Sequence, residues 1–573
     1  MDKNEIAEIL QEIGVLLELK GENPFRIRAF YNAARSLETT SENLKELSEK
    51  NELTKIPGIG KAISEMIQEL LKKGRLEMHD ELKKSFPKGF LEILKIPGVG
   101  PKRAKILYDK LDIKSVAELQ YACKENRLSV LDGFGEKSQA NILHGIDHYV
   151  KSQGFFLISQ ASDEARELIH YLKKRKEVGQ ISVAGSLRRH KEIVHDADIL
   201  VSTKKHAAMH NAFVKYPEVE QIVQKGETKS SVVLKSGLQV DLRSVSDKEY
   251  PYALQYFTGS KEHNVVLRGM AKRMGMKINE YGLFKGNRLI SCKDEAEIYK
   301  KLGLSYIEPE LRENTGEIEA SARKKLPAAL IETKDLKGVF HVHSTYSDGR
   351  NSLEEMIRKA VDFGYEYVGI SDHSKSAVYA NGLSEERVKK QHKQIDSLQK
   401  KFPKIRIFRG IESDILQDGS LDYSNRVLES FDFIIASIHS RFGMNEKEMT
   451  KRILKAMDNP YSTIVGHLTG RLLLGRPGYA VDYDAIFEKS AQTGCVIELN
   501  ANPYRLDLDW RVLKRLKEKK LRTVINPDAH DADGFRDVSY GIGIARKGWL
   551  EKKDVLNTLG AEEIEQFLKG RRH

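Results

Sequence analysis

After residue 335, seven short apolar runs alternate with stretches of helical pattern: GVFHVH, YVGISDH, IRIFRGIE, FDFIIASIH, STIVGH, CVIELN and RTVINPDAH. This alternation predicts βα units and a parallel sheet or barrel. Six of the seven runs end in His, Asp or Glu. In a βα barrel, functional side chains stand at the C-terminal ends of the strands. The pattern therefore places His341, His343, Asp348, Asp372, His373, Glu412, His439, His467, Asp528 and His530 on one rim. His341 and His343 are i and i+2, so they share one face of a strand. A nitrogen and oxygen donor set without cysteine suits two or three divalent ions (Mn2+, Zn2+ or Fe2+) bridged by carboxylate and water. Such a centre makes hydroxide and clamps a phosphate oxygen. A lone histidine is more often a satisfied core or surface residue; recurrence at successive strand ends sets these apart. Arg409, Arg471 and Arg476 are candidate phosphate binders, each equally readable as a surface arginine.

A second chemical signature lies about 150 residues earlier. From residue 181 the chain carries short β-type runs: ISVAGS, ADILVS, SVVLKS and LQVDLR. Asp196 and Asp198 are i and i+2 on one of them, about 7 Å apart along one face. Asp241, on a neighbouring run, is a third carboxylate. Carboxylates so placed suit two Mg2+ or Mn2+ ions about 3.5–4 Å apart, which activate one oxygen and stabilise the leaving one. Gly185-Ser186 predicts a tight turn over a triphosphate, with Arg188 and Arg189 to meet its charge. Asp-x-Asp alone is most often a solvated strand end. Gly-Ser, Arg-Arg and a later strand aspartate, in this order, favour the functional reading.

Residues 1–150 are helical in pattern, with Ile6, Ile9, Leu10, Ile13, Leu16 and Leu17 at spacings of three and four. Ile56-Pro57-Gly58-Ile59-Gly60 opens a helical run, and Ile96-Pro97-Gly98-Val99-Gly100 repeats it forty residues later. Leu131-Asp132-Gly133-Phe134-Gly135 is a looser third copy. A Gly-x-Gly turn between two helices aims free N–H groups at an anion at the second helix's N-terminus. The alternative is a plain helical hairpin with glycine caps. Two near-identical copies beside Lys61, Lys102, Arg103 and Lys105 favour non-specific binding of the DNA backbone.

The net charge of +12 permits a polyanionic partner without requiring one. Three scattered cysteines, Cys123, Cys292 and Cys495, argue for a reducing compartment. No apolar run is long enough to span a membrane. The acidic start MDKNEIAEIL does not read as a leader, so a cytoplasmic location is expected.

Residues 1–310 resemble the family X DNA polymerases, of the DNA polymerase beta type. The resemblance is most specific at Tyr256-Phe257-Thr258-Gly259-Ser260, then Asn264 and Arg268, then Ile278-Asn279-Glu280-Tyr281. It implies that Asp196, Asp198 and Asp241 are catalytic metal ligands. It implies that Gly185, Ser186, Arg189, Tyr256, Phe257, Gly259 and Asn264 bind the nucleotide. Tyr256-Phe257 would pack on the incoming sugar, and Asn264 and Arg268 would face the nascent pair and template. Gly58, Gly60, Gly98, Gly100, Lys102 and Arg268 are the expected DNA contacts. The chain departs from the family pattern at His190 and His195, where glycines are frequent, and at Gln239, where DNA polymerase beta has arginine. The family's lyase lysine aligns with Met66 and a supporting lysine with Ala62; a Schiff base needs an amine, so no lyase of that type is expected there.

Residues 335–573 resemble the PHP (polymerase and histidinol phosphatase) family. The match implies one metal on His341, His343, Glu412 and Asp528, a second on Glu412, His439 and His467, and a third on Asp348, His373 and His530. His341 and His343 are counted as catalytic. The expected fold is multidomain, α+β and α/β. A helical helix-hairpin-helix region precedes a nucleotidyltransferase palm with its thumb, and a distorted (β/α)-barrel follows. The expected boundaries are 1–85 and 86–150 for two helical parts, 151–250 for the palm, 251–316 for the thumb, 317–334 for a linker and 335–573 for the barrel. The expected activity is gap-filling synthesis in base excision repair, with a 3′–5′ exonuclease and an abasic-site endonuclease in the barrel. Gapped or nicked DNA and dNTPs are the expected partners, and the chain is expected to be a monomer. Competing readings make the barrel a structural module or a small-molecule phosphatase, or the whole chain a DNA-end binder without catalysis.

Overall fold

The computed structural model describes all residues except 2, 41, 88, 130, 152, 153 and 571–573. The chain forms two compact units, Met1–Lys124 with Leu128–Tyr149, and Glu125–Arg127 with Val150–His573.

The first unit is helical. Lys3–Lys20 and Pro24–Thr39 pack as an antiparallel pair, and Ile6, Leu10, Ile13, Leu17, Phe30, Ala33 and Leu37 fill their seam. The two glycine hairpins adopt the same backbone. Gly58 and Gly98 have φ of 86° and 87°, a region that costs an L-residue energy. Gly60 and Gly100 then cap the helices Lys61–Lys73 and Pro101–Leu111 at φ/ψ of −83°/172° and −81°/173°. Gly133, in the third copy, has φ of 81°.

The second unit begins with a five-stranded mixed sheet in the order Ile181–Val183, Asp196–Ser202, Gln239–Val245, Lys229–Leu234, Val219–Lys225. Alternation along the second strand, Asp196–Ser202, decides what each face does. Ala197, Ile199 and Val201 enter the core under the helices Ile158–Lys173 and His206–Val214. Asp196 and Asp198 lie on the opposite face, with Leu200, which packs on the helix Tyr250–Thr258. That helix leads into Lys261–Arg273, a three-stranded antiparallel sheet and Glu295–Lys301, around a core of Tyr252, Leu267, Ile278, Leu283, Ile298 and Tyr299.

The segment 317–334 is not the free linker its polarity suggests. Glu317–Ala322 is helical, and Ile318 joins the core just described, with Leu326 and Leu330 packed against it. The Glu317 carboxylate is fully buried and accepts N–H bonds from Asn314 and Thr315 besides facing His263 at 2.7 Å. The Ser321 hydroxyl donates to the distant Ser305 carbonyl at 2.8 Å, and no periodicity reveals partnerships of this kind.

Seven parallel strands follow in sequence order: Gly338–Val339, Tyr367–Ile370, Arg406–Asp414, Phe433–Ser437, Ile464–Val465, Val496–Asn500 and Thr523–Asn526. The first and last edges meet just beyond their strands, where the His343 N–H donates to the Ala529 carbonyl at 2.9 Å and the Ala529 N–H to the His341 carbonyl at 3.1 Å. The strands are buried on both faces, which explains apolar runs without alternation. The inward parity changes character along each strand. At the N-terminal end it holds Phe340, Tyr367, Phe408 and Phe433, closed by Ile564 and Leu568 of the helix Ala561–Gly570. Gly410 makes room there, since a Cβ would stand 2.1 Å from the Phe433 ring. At the C-terminal end the same parity carries Glu412, Glu498, Asn500 and Asn526. Among the described residues no helix is long and apolar enough to cross a membrane.

Candidate active sites

Glu412, at the end of the third barrel strand, is the hub of the rim. Its Oε1 lies 3.0 Å from His467 Nε2, 3.2 Å from His439 Nε2 and 3.4 Å from His341 Nε2. Its Oε2 lies 3.0 Å from His373 Nδ1 and 3.6 Å from His343 Nε2. Asp528 Oδ1 stands 3.3 Å from His341 Nε2 and 3.2 Å from His343 Nε2. Asp348 faces His373 and His530, each at 3.5 Å. Three sets have ligand atoms within 4.8 Å of one another: His341, His343 and Asp528; His373, Glu412 and His439; and His343, Asp348, His373 and His530. All nine expected ligands thus converge, and close contacts also run between the expected groups. His343 also reaches the Asp348 set, and His373 also reaches Glu412. His467 lies beside Glu412, and its N–H donates to Glu498 Oε2 at 2.8 Å.

The fit to divalent cations rests on orphaned atoms. His341 Nε2, both ring nitrogens of His343 and His373, both oxygens of Asp348, Glu412 Oε2 and His530 Nε2 are buried without a hydrogen bond. Buried polar atoms are normally paired, so this many orphans facing one point mark a cation site. Neighbouring groups orient the ligands, as metal-bound imidazoles require. Glu498 Oε1 is 2.7 Å from His341 Nδ1, and Asp414 Oδ1 is 2.6 Å from His439 Nδ1. Asn526 donates to Glu498, and Asn500 donates to both Glu498 and Asp528. Burial, with repulsion from His530 and His373, pulls the His343 pKa down to about 3, which keeps the ring neutral. Burial disfavours charge on Glu412, but His439, His341 and His373 outweigh it and hold the carboxyl well below its usual range. The left-handed backbone of Asp528 (φ 52°) and His467 (φ 23°) is strained for non-glycine residues, as is common where function dictates geometry.

Asp372 is not part of the cluster. Its oxygens accept from the Ser344 N–H and hydroxyl, the Ser347 N–H and hydroxyl, and Gln391. It anchors the loop that carries Asp348. The three candidate arginines are likewise committed. Arg409 pairs with Asp396. Arg471 binds the Arg505 and Leu506 carbonyls and Asp509. Arg476 binds the Gly470 carbonyl and stacks on Phe442. Arg505, which no strand pattern singles out, instead lies 3.6 Å from Asp528.

The palm site is built differently. Asp198 and Asp241 are direct partners across the parallel pair, and Asp196 lies opposite Gln239. Gly185 (φ 60°) lies against Asp198: a Cβ there would stand 2.1 Å from Oδ2. Burial and the charges of Asp196 and Asp241 raise the Asp198 pKa to about 6. Burial and Asp241 raise that of Asp196 also. Burial would raise Asp241 too, but Lys229 at 2.6 Å, with Ser231 and Gln239, holds it low. Gln239 donates to Asp241 at 3.2 Å. Lys229 was not visible as a partner in sequence, because its register against Asp241 follows from an antiparallel hairpin.

Around these carboxylates, Arg188 forms a two-bond pair with Glu295 and donates to Thr258 Oγ1, so it braces the fold. Arg189 Nη1 donates to the Thr258 carbonyl at 2.5 Å, and a Cβ on Gly259 would meet that same nitrogen at 3.1 Å. Ser186 sits in the short helix Gly185–Arg188, half-buried. Tyr256 and Phe257 meet edge to face at 5.2 Å, and Arg243 lies over Phe257. Asn264 donates to the Tyr256 carbonyl at 2.7 Å, and Arg268 lies one turn on, donating to the Asn264 carbonyl.

In the helical unit, Lys61 and Lys102 are exposed at the starts of the two capped helices. Arg103 turns inward, donating to the carbonyls of Gly98 and Gly133, and ties the second hairpin to the third. Met66 packs against the unit's core.

These elements define a DNA polymerase of the polymerase beta type joined to a metal-binding PHP barrel. Residues 253–313 match the DNA polymerase beta thumb family, 340–502 the PHP domain, 1–76 a helix-hairpin-helix domain and 90–146 a SAM-like helix-hairpin-helix tandem. The chain belongs to the family X DNA polymerases with a C-terminal PHP domain. It is 39% identical over 573 residues, 99% of this chain and 100% of the relative, to the DNA polymerase/3′-5′ exonuclease PolX of Bacillus subtilis. It is 25% identical over 350 residues, 54% of this chain and 56% of the relative, to rat DNA polymerase lambda. A probable phosphatase of Clostridium acetobutylicum is 28% identical over 249 residues, 40% of this chain and 93% of the relative.

Proposed function

We propose that this polymerase fills short gaps in DNA during base excision repair and that its barrel shortens DNA 3′ ends. The observation that supports the pairing most is the full-length identity to a polymerase/exonuclease, in a chain whose nine barrel ligands converge and whose palm carboxylates share one face. In the palm, Asp196, Asp198 and Asp241 hold Mg2+ or Mn2+ and orient the primer 3′-hydroxyl toward the dNTP. Gly185, Ser186 and Arg189 receive the triphosphate, Tyr256 and Phe257 the sugar. In the barrel, the ligand set holds two or three ions of Mn2+, Zn2+ or Fe2+, with Glu412 shared between neighbours. A divalent ion there supplies positive charge for a phosphodiester oxygen and activates water. Arg505 beside Asp528 adds charge at the same rim. Gapped DNA is held by Gly58, Gly60, Gly98, Gly100 and Lys102, through backbone N–H groups at helix N-termini, with Arg268 toward the template. The protein acts as a monomer in the cytoplasm, and cleavage at abasic sites is a second use of the barrel.

The test is a gel assay of a 5′-labelled primer on a one-nucleotide gapped duplex with Mn2+, with and without dNTPs. Asp198→Ala is expected to lose extension only, and His341→Ala shortening only. Wild type that never extends the primer would sink the polymerase reading. The likeness of the barrel to a probable phosphatase favours one alternative, a small-molecule phosphomonoesterase. Faster hydrolysis of a phosphomonoester than of a DNA 3′ end would support it.

A further inference from the structure

The barrel helix Val538–Lys547 runs against the back of the palm's Gly185–His190 turn. A Cβ on Gly543 would stand 2.1 Å from His190 Nδ1, so the imidazole lies directly on the helix backbone. His190 itself has φ of 52°, the left-handed region that glycine occupies most easily. At the helix end, Lys547 is 1% exposed. Its ammonium donates to the Arg189 carbonyl at 3.0 Å and to Glu313 Oε1 at 2.5 Å. That same oxygen accepts from Arg189 Nε at 3.2 Å. Arg189 is therefore held by Glu313 on one edge and by the Thr258 carbonyl on another, which fixes the plane of its guanidinium.

One largely buried carboxylate, 12% exposed, thus serves two cations, one from the palm and one from the barrel. Without Lys547, Glu313 would be a largely buried charge with Arg189 as its sole cationic partner. Glu313 would then direct its whole charge at Arg189, pulling the guanidinium toward itself and offsetting its charge. An arginine neutralised by a protein carboxylate attracts a polyphosphate less.

We propose that Lys547 is a positioning residue for the polymerase site: by sharing Glu313 it keeps Arg189 oriented and charged for the incoming triphosphate. This rests on the reading of Arg189 as a triphosphate contact. The barrel would then act in synthesis through its outer helix, independently of its metal cluster.

The test is steady-state filling of a one-nucleotide gap by the full-length protein, with primer shortening and thermal unfolding measured on the same preparations. Lys547→Met is expected to raise KM for dNTP about tenfold with kcat within about twofold, since binding and not chemistry is weakened. Lys547→Arg should restore KM. Adding Glu313→Gln to Lys547→Met should recover much of the loss, because the competing charge is gone. Should Lys547→Met fail to fold, Gly543→Ala, which pushes on His190, is expected to raise KM with shortening retained. An unchanged KM in Lys547→Met, with Arg189→Ala raising it, overturns the proposal and leaves the triphosphate reading intact. An unchanged KM in Arg189→Ala overturns the reading, and the proposal with it.

Discussion

The palm and the barrel both gather carboxylates on one face, yet their side chains are arranged to different degrees. In the barrel, eight of the nine ligand-type side chains are buried to 8% exposure or less, and His439 is half-buried. Their unpaired atoms face one another, and Glu498, Asp414 and Asn500 fix their orientation. In the palm, Asp196 and Asp198 are half-buried, and Asp241 is occupied by Lys229. Burial, with the charges of Asp196 and Asp241, raises the Asp198 pKa to about 6. From this difference we propose that the barrel retains divalent ions in the absence of substrate. The palm, on the same proposal, would complete its site only when a nucleotide brings metal and phosphate oxygens with it.

The comparison can be broken most severely at Glu412. Five imidazoles meet it, so Glu412→Ala should abolish primer shortening and release barrel metal, while gap filling on the same gel persists. Loss of both activities would mean the two sites are not independent. Next in size is Asp241→Asn, which should stop extension and leave shortening and metal content untouched. Glu498→Gln is smaller: it changes only a group behind His341, so shortening or metal affinity should fall by about 10- to 100-fold, measured by metal titration of the chelator-treated protein. Smallest is Gly185→Ala. Its positive φ and contact with Asp198 should cost about 1–3 kcal/mol of local strain, read as weaker dNTP binding with shortening unchanged. Equal dNTP binding in Gly185→Ala and wild type would show that the turn yields easily.

The sequence made legible whatever follows from spacing along one strand. His341 and His343, like Asp196 and Asp198, are two residues apart and do share a face. The seven apolar runs became seven strands in order, because a parallel barrel buried on both sides needs no alternation. Partnerships set by register or by packing were hidden. Lys229 meets Asp241 only through a hairpin. Glu498 lies inside the one run that ends in asparagine, one residue pair short of the strand end where ligands were sought. The 317–334 segment looked like a linker because its buried residues are few and the partners of Glu317 and Ser321 lie outside it. Asp372 looked like a ligand because a carboxylate saturated by serine hydroxyls has the same letter as one that is not.

The most direct test of the contrast between the two sites is the metal content per chain after extensive dialysis, measured by elemental analysis on wild type, His341→Ala and Asp198→Ala. The account predicts two or three divalent ions per chain in wild type, the same in Asp198→Ala and a clear loss in His341→Ala. A wild type stripped to zero by dialysis, or an Asp198→Ala protein that loses as much as His341→Ala, would contradict it.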